Sequence, residues 1–341
     1  MSRFKPHILI STLGLSALAT PAIAGSERLI YDPDSPYFLS DIDQSQADPG
    51  QNVVLRGGIG YASITAHEHV FAAPSGTDNL SLLVWESTAP VANVDVKVRL
   101  PDAWTLRGHF DAALPGGAKM TDYDWIPPYA TGNGLDDWSH RSISPASHLD
   151  WYFSGDVAFG RDLPINEELT VNVNGGFKYT DVEWTSIGGT YIYSDSTNGF
   201  RGTTGTLPDV PGVRYRQQLP TVFAGIDTTL NDGPWSLEAG ARAGLIVAGQ
   251  SVDHHYLRVP PFYVTDNFSF GQVLSADAKL DYNFTDHLGV YLAGSYEKMA
   301  TGHILSDYRY MSDNSIYIHD STAGGGELDV WSVTAGVKGY F

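Results

Sequence analysis

Between Trp235 and Val247 the chain alternates almost throughout. Trp235, Leu237, Ala239, Ala241, Ala243, Leu245 and Val247 fall on one parity; Ser236, Glu238, Gly240, Arg242 and Gly244 fall on the other. Side chains two apart share a face of a strand, so this segment has an apolar face and a charged one. A soluble sandwich would turn the apolar face into its core, whereas a membrane barrel turns it toward lipid. Lys, Glu and Arg recur on the opposing parities, as at Glu297 and Lys338. A dry β core rarely accepts them, and a wet barrel interior does. The C-terminus repeats the pattern: Trp331, Val333, Ala335, Val337 and Phe341 alternate with Ser332, Thr334, Lys338 and Tyr340.

Turn signals set the number of strands. Leu100-Pro101-Asp102, Arg161-Asp162-Leu163-Pro164, Asn231-Asp232-Gly233-Pro234 and Phe284-Thr285-Asp286 are compact breakers. Longer polar connections lie near 72–78, 126–145, 195–212, 256–264 and 311–326. Tight turns alternating with long loops predict an all-β fold, a ten-stranded antiparallel transmembrane β-barrel. The expected strands are 52–71, 79–99, 103–125, 147–160, 168–193, 213–230, 235–255, 265–283, 287–309 and 327–341. Several exceed the ~9–11 residues that cross a bilayer, so the barrel is expected to extend beyond the membrane on the extracellular side.

The first residues address the chain to export. Arg3 and Lys5 precede an apolar run from Ile8 to Ala19 and a small-residue site at Ala22-Ile23-Ala24. Residues 1–24 read as a signal peptide, because the run is too short to span a bilayer. Residues 25–51, polar and without periodicity, read as an irregular N-terminal extension, and 52–341 as the barrel. Cysteine is absent, so no disulfide supports the fold. The net charge is −19, and loss of the two basic signal residues makes it −21. That charge argues against nucleic acid and suits a cationic partner.

Two pairs at strand tips can do chemistry. Asp122 and Asp124 share one strand face, and Asp253 and His255 share another. If odd strands run outward, both pairs reach the outer rim, where three carboxylates and an imidazole could hold and activate water. Alternation counted from Trp235 sets residues 253 and 255 on the lipid-facing parity, so a bulge near Gly249 must reset it. The other histidines His67, His69, His109, His140 and His148 read as rim or solvated residues.

From about residue 57 to the C-terminus the chain resembles the omptin family of outer-membrane aspartic endopeptidases. The resemblance rests on Met120-Thr121-Asp122-Tyr123-Asp124-Trp125, on Gly188-Gly189-Thr190-Tyr191-Ile192-Tyr193-Ser194 with Gly199-Phe200-Arg201, and on Asp253-His254-His255-Tyr256. It implies catalytic roles for Asp122, Asp124, Asp253 and His255, with water as nucleophile, His255 as its base, and no metal or other cofactor. It places a carboxylate for a basic substrate residue at Glu68 and a second one at position 251, where this chain has Ser251. Ser142 matches a family serine near the site and is carried as a helper. The family's basic lipopolysaccharide site falls on Asp181 and Gln218, so that site is unmatched.

The implied function is an endopeptidase of a Gram-negative outer membrane, its active site facing outside, that cuts peptides or proteins at basic residues. The alternative from another class is a catalytically inactive barrel, an adhesin or receptor for cationic host proteins. A lipase would need a Ser–His couple, for which no constellation stands out, and ten strands leave little lumen for a diffusion pore.

Overall fold

The computed structural model describes residues 52–72, 78–130, 132–268 and 270–341, except the side chains of 319–322. The expected signal peptide and N-terminal extension lie outside the described residues.

The strands are β1 (Val53–Phe71), β2 (Asn79–Arg99), β3 (Trp104–Ala113), β4 (Gly116–Asp124), β5 (His140–Pro164), β6 (Leu169–Ile187), β7 (Thr190–Asp195) and β8 (Gly199–Thr206). They continue as β9 (Pro211–Asp232), β10 (Trp235–Ile246), β11 (Gly249–His255), β12 (Phe262–Phe268), β13 (Gly271–Asn283), β14 (Leu288–Thr301), β15 (Ile304–Tyr310) and β16 (Ile316–Tyr340). Four staves are each built from two strands end to end: β3 with β4, β10 with β11, β13 with β12, and β14 with β15. The wall therefore has ten staves, and all neighbours are antiparallel. The far side completes it, and β16 pairs back onto β1. Closure leaves no stave edge unpaired, which lipid requires because it offers the backbone no hydrogen bonds. The ten-stranded barrel expected from the turns is the fold observed.

Some strand limits differ from expectation. Residues 140–146 read as loop, yet β5 begins at His140 and pairs with β4, Asp124 opposite His140. Likewise β16 begins at Ile316 rather than 327. Above the lipid both faces of the wall can be polar, so alternation fades there while the ladder continues. Expected strand 168–193 ends at Ile187, because Gly188 (φ 56°) and Gly189 (φ 114°) turn the chain. The expected loop 195–212 contains most of the β7–β8 hairpin, which extends the sheet from the upper end of β5.

On the outer face, exposed apolar residues form a belt: Leu55 to Tyr61 on β1, Trp235 to Leu245 on β10, Trp331 to Val337 on β16. Above it the outer face carries His67, Asp181, Glu183, Arg214, Arg216 and Glu327.

The interior has three levels. At the bottom, Arg56 reaches Asp95 (3.0 Å), Glu238 (3.1 Å) and Asp281 (2.9 Å), and Lys338 reaches Asp281 at 2.7 Å. Arg242 joins Asp227 (2.9 Å) to Asp277 (2.6 Å). The Arg56–Glu238, Arg56–Asp281 and Lys338–Asp281 pairs tie non-neighbouring staves across the lumen, and the others join adjacent ones; removing one member would strand its partner, at a cost of several kcal/mol. Above them is a cavity of about 100 Å³ lined partly by His109, Asp111, Tyr152, Asp156, Lys178 and Glu297. An apolar floor closes it: Ile64, Leu149, Leu219, Ile246, Met299 and Leu328 around stacked Trp85, Trp184 and Tyr215, ring centroids 6.0–6.3 Å apart. The floor divides the lumen into a lower chamber and an upper, open one, which is no geometry for a diffusion pore.

Two staves change parity just above the belt. Three steps along β9, from Thr221 to Gln218, oppose four from Ile246 to Gln250. The extra residue lies at Val247–Ala248, where Ala248 has φ 53°. Below it Glu238 and Ile246 face the lumen; above it Ser251 and Asp253 do. The reset expected near Gly249 thus occurs one residue earlier. A second bulge at Leu114–Pro115 shifts Ala113 opposite Val91 to Ala118 opposite Ser87. It turns Asp122 and Asp124 inward by the same device. Because Ala248 pays for a left-handed backbone on an exposed site, Ala248→Gly should stabilise the barrel by about 1 kcal/mol in denaturant unfolding from vesicles, and Ala248→Val should destabilise it by about 1–2 kcal/mol.

Candidate active site

The ladder lines up the upper chamber row by row. Glu68 lies opposite Leu83 on one side and Gly326 on the other, and Leu83 lies opposite Asp122. Across the barrel Ser251 faces Gln217 and Asp266, and Asp266 faces Ser306. Residues nearly two hundred positions apart therefore meet at one height, all on the lumen side of the wall.

Asp253 and His255 are together: His255 Nε2 lies 2.5 Å from Asp253 Oδ2, and Asp253 is almost wholly buried. The His255 ring packs on Phe262 with centroids 4.7 Å apart, which limits its rotation. A contact of this length fixes the orientation of the imidazole.

Asp122 and Asp124 project from the upper end of β4. Ser81 Oγ donates to Asp122 Oδ1 at 3.2 Å and also serves Asp124. Burial pushes the Asp122 carboxyl well above the usual range, and the Asp124 charge pushes it further, while Arg258 and Ser81 partly offset this. Burial likewise raises Asp124, against Ser81, Arg258, His140 and His255. The pair thus holds its protons more tightly than free carboxyls, as adjacent carboxylates do. Tyr193 on β7 feels both charges, and burial with that field pushes its phenol to about 12.

His255 lies close enough to Asp124, and Asp253 to Asp122, for their charges to act on one another, so the two strand tips line the same chamber. Ser142 is buried directly opposite Asp122 on β5. Glu68 is buried at 3 % exposure; burial, then Asp253 and Asp266, hold its carboxyl well above the ordinary value. Ser251 is buried too and donates to Asp266 Oδ2 at 3.1 Å. All seven residues singled out from the sequence face the upper chamber.

Sequence reasoning missed four others: Ser81, Tyr193, Arg258 and Asp266. Asp266 was the most legible, because Val264, Asp266 and Phe268 share one parity; the strand was expected to begin only at 265. His140 is no plain rim residue, since it lies beside Asp124 and bonds Ser139 Oγ at 2.9 Å. His109 lies in the lower chamber, 3.0 Å from Asp111. Asp181 and Gln218 pair across the outer wall, where Arg216 grips Asp181 at 2.5 Å. Among the described residues, His67, Glu327 and Asp329 on the outer wall could reach a metal together, but Lys298 already neutralises both acids at 2.8 and 3.2 Å.

A closed ten-stave barrel with a lipid belt and a carboxylate–imidazole chamber above it defines an outer-membrane β-barrel with a hydrolase-like site. The model of the Omptin family matches residues 50–341, and the chain belongs to that family. It is 23% identical over 295 residues to the outer membrane protease OmpP of Escherichia coli K12, covering 83% of this chain and 88% of that one. It is 24% identical over 250 residues to the plasminogen activator of Yersinia pestis, covering 71% and 75%. The crystal structure of the outer membrane protease OmpT from Escherichia coli superposes with a TM-score of 0.77 at 20% identity, covering 87% of this chain and 99% of that chain. The barrel therefore belongs in the outer membrane of a Gram-negative bacterium, in a family of proteases.

Burial pushes Asp266 to about 6, the Asp253 charge adds to this, and Ser306 and Ser251 pull against it. An acid whose pKa is higher folded than unfolded stabilises the fold when protonated, and loses that contribution as pH rises from about 4 through 6. Asp266→Asn should therefore gain on wild type by up to roughly 3 kcal/mol between pH 4 and pH 7, measured by guanidinium unfolding.

Proposed function

We propose that this protein is a surface endopeptidase that hydrolyses peptide bonds at basic residues with a water activated between the Asp253–His255 couple and the Asp122–Asp124 pair. The observation that carries this reading is the 2.5 Å couple directed into a chamber whose opposite wall bears the aspartate pair.

Water bound between the tips would give its proton to His255 Nδ1, because Asp253 holds Nε2. Its oxygen would attack the peptide carbonyl, and no covalent intermediate with the chain is required. The developing imidazolium would be stabilised by Asp253. The proton retained by Asp122 or Asp124 would serve the tetrahedral oxyanion, which two bare carboxylates would repel. His255 would then pass its proton to the leaving amine, so the proton count closes. Glu68 would attract the cationic side chain of the substrate, and Ser142 would support Asp122 from the neighbouring stave. The strongly acidic balance of the chain favours cationic substrates at longer range.

His255→Ala and Asp253→Ala should each lower kcat/KM on a dibasic peptide by about 10²–10⁴-fold while the refolded barrel keeps its heat-modifiable mobility on gels. Full turnover by either variant would reject the mechanism. Tight peptide binding by wild type with no turnover would instead support the inert adhesin or receptor.

A further inference from the structure

The upper and lower chambers treat buried acid in opposite ways. In the lower one Asp95, Asp227, Glu238, Asp277 and Asp281 each face an Arg or Lys within 4 Å. In the upper one, among the described residues, no Arg or Lys forms an ion pair with Glu68, Asp253 or Asp266, which are 3 %, 2 % and 4 % exposed. Glu68 Oε2 and Asp253 Oδ1 are buried without another group's donor, and the Glu68 and Asp253 carboxyls lie within hydrogen-bond reach of each other. Desolvated carboxylates cost several kcal/mol each unless a cation or a proton meets them. His255 answers for Asp253 alone. A cation entering the chamber would therefore meet carboxylates that, among the described residues, no Arg or Lys already holds.

Asp266 is held for that purpose. Ser251 Oγ donates to Oδ2 at 3.1 Å and Ser306 Oγ to Oδ1 at 2.5 Å, so its carboxylate is clamped from the two neighbouring staves. Two serines fix its orientation without cancelling its charge. On the side toward Glu68 the wall has been stripped of side chains. A Cβ on Gly324 would come within 2.6 Å of Asp266 Oδ1, and one on Gly326 within 3.1 Å of Gln217 Nε2. Gly326 lies directly opposite Glu68 in the ladder. Asp266 thus packs directly on the bare β16 backbone, two residues along from the position opposite Glu68, and a planar or ammonium cation taken into a narrow slot between the two acids would be flanked by carboxylates.

We propose that Asp266, together with Glu68, forms the anionic end of the pocket that receives the guanidinium or ammonium group of the substrate residue at the cleaved bond. Position 251 has a serine where the resemblance led one to expect an acid, and the acid stands across the ladder from it instead. The inference rests on the peptidase reading above and names the specificity residue of that site.

The test compares wild type, Asp266→Asn and the swap Ser251→Asp with Asp266→Ser, all refolded in detergent with lipid. Each is assayed on matched peptides with Arg, Lys or citrulline before the cleaved bond. Asp266→Asn should lose about 10–100-fold in kcat/KM on the Arg and Lys peptides, chiefly through KM, and change less than about threefold on citrulline. The swap, which returns one carboxylate to the slot, should recover most of the loss. Equal losses on all three peptides, or none on any, would overturn the proposal. Binding of the same peptides by fluorescence anisotropy separates the two claims. Wild type that turns over no peptide refutes the peptidase, whereas the pocket stands if Asp266→Asn binds the Arg peptide at least tenfold more weakly, and falls if binding is unchanged.

Discussion

The polar architecture of this barrel depends on one constraint. Side chains alternate across a strand, and one inserted residue exchanges the two faces. Lipid fixes the parity of the lower half, where Trp235, Leu237 and Leu245 must point out. Continued unbroken, the same parity would send Asp253 and His255 to the outside of the wall. The bulge at Val247–Ala248 reverses it immediately above the belt, and the bulge at Leu114–Pro115 does the same for Asp122 and Asp124. The chemistry of the upper chamber thus exists because two staves break register at one height, where the demands of lipid end.

Charge is then disposed in two ways along one lumen. In the membrane the interior acids are neutralised by Arg56, Lys279, Arg107, Arg242 and Lys338, and the network braces the barrel across its width. Above the tryptophan–tyrosine floor, among the described residues, Glu68, Asp253 and Asp266 form no ion pair with an Arg or Lys. Stability is given up there, as Glu68, Asp122 and Asp266 show by holding protons more tightly than free carboxyls. A substrate cation and a reacting water are the species that would restore the balance. On the proposed reading, binding and catalysis would draw on the same uncompensated acids.

Much of this was legible in the residues. The alternation at Trp235–Val247 and the four compact turns specify a ten-stave barrel because lipid leaves few other solutions. The Asp-x-Asp and Asp-x-His spacings specify shared faces. The need for a register reset also followed from parity, though its position moved to Ala248. What stayed hidden arises above the lipid, where the two faces cease to differ in polarity. There the ends of β5 and β16 lost their signal, and Leu114-Pro115-Gly116-Gly117, a breaker in plain view, was absorbed into a continuous strand. Asp266 was missed for a further reason: its partners Ser251 and Ser306 are set by ladder register across three staves, and spacing within one segment carries no trace of that.

The most direct test of the account is a crystal structure of the barrel with a dibasic peptide whose scissile amide is reduced and cannot be cut. The account predicts the cationic side chain between Glu68 and Asp266, within hydrogen-bond distance of both, and the reduced carbon in the gap between His255 and the Asp122–Asp124 pair. A peptide bound with its cation elsewhere, or with that carbon beyond a water's reach of His255, would contradict it.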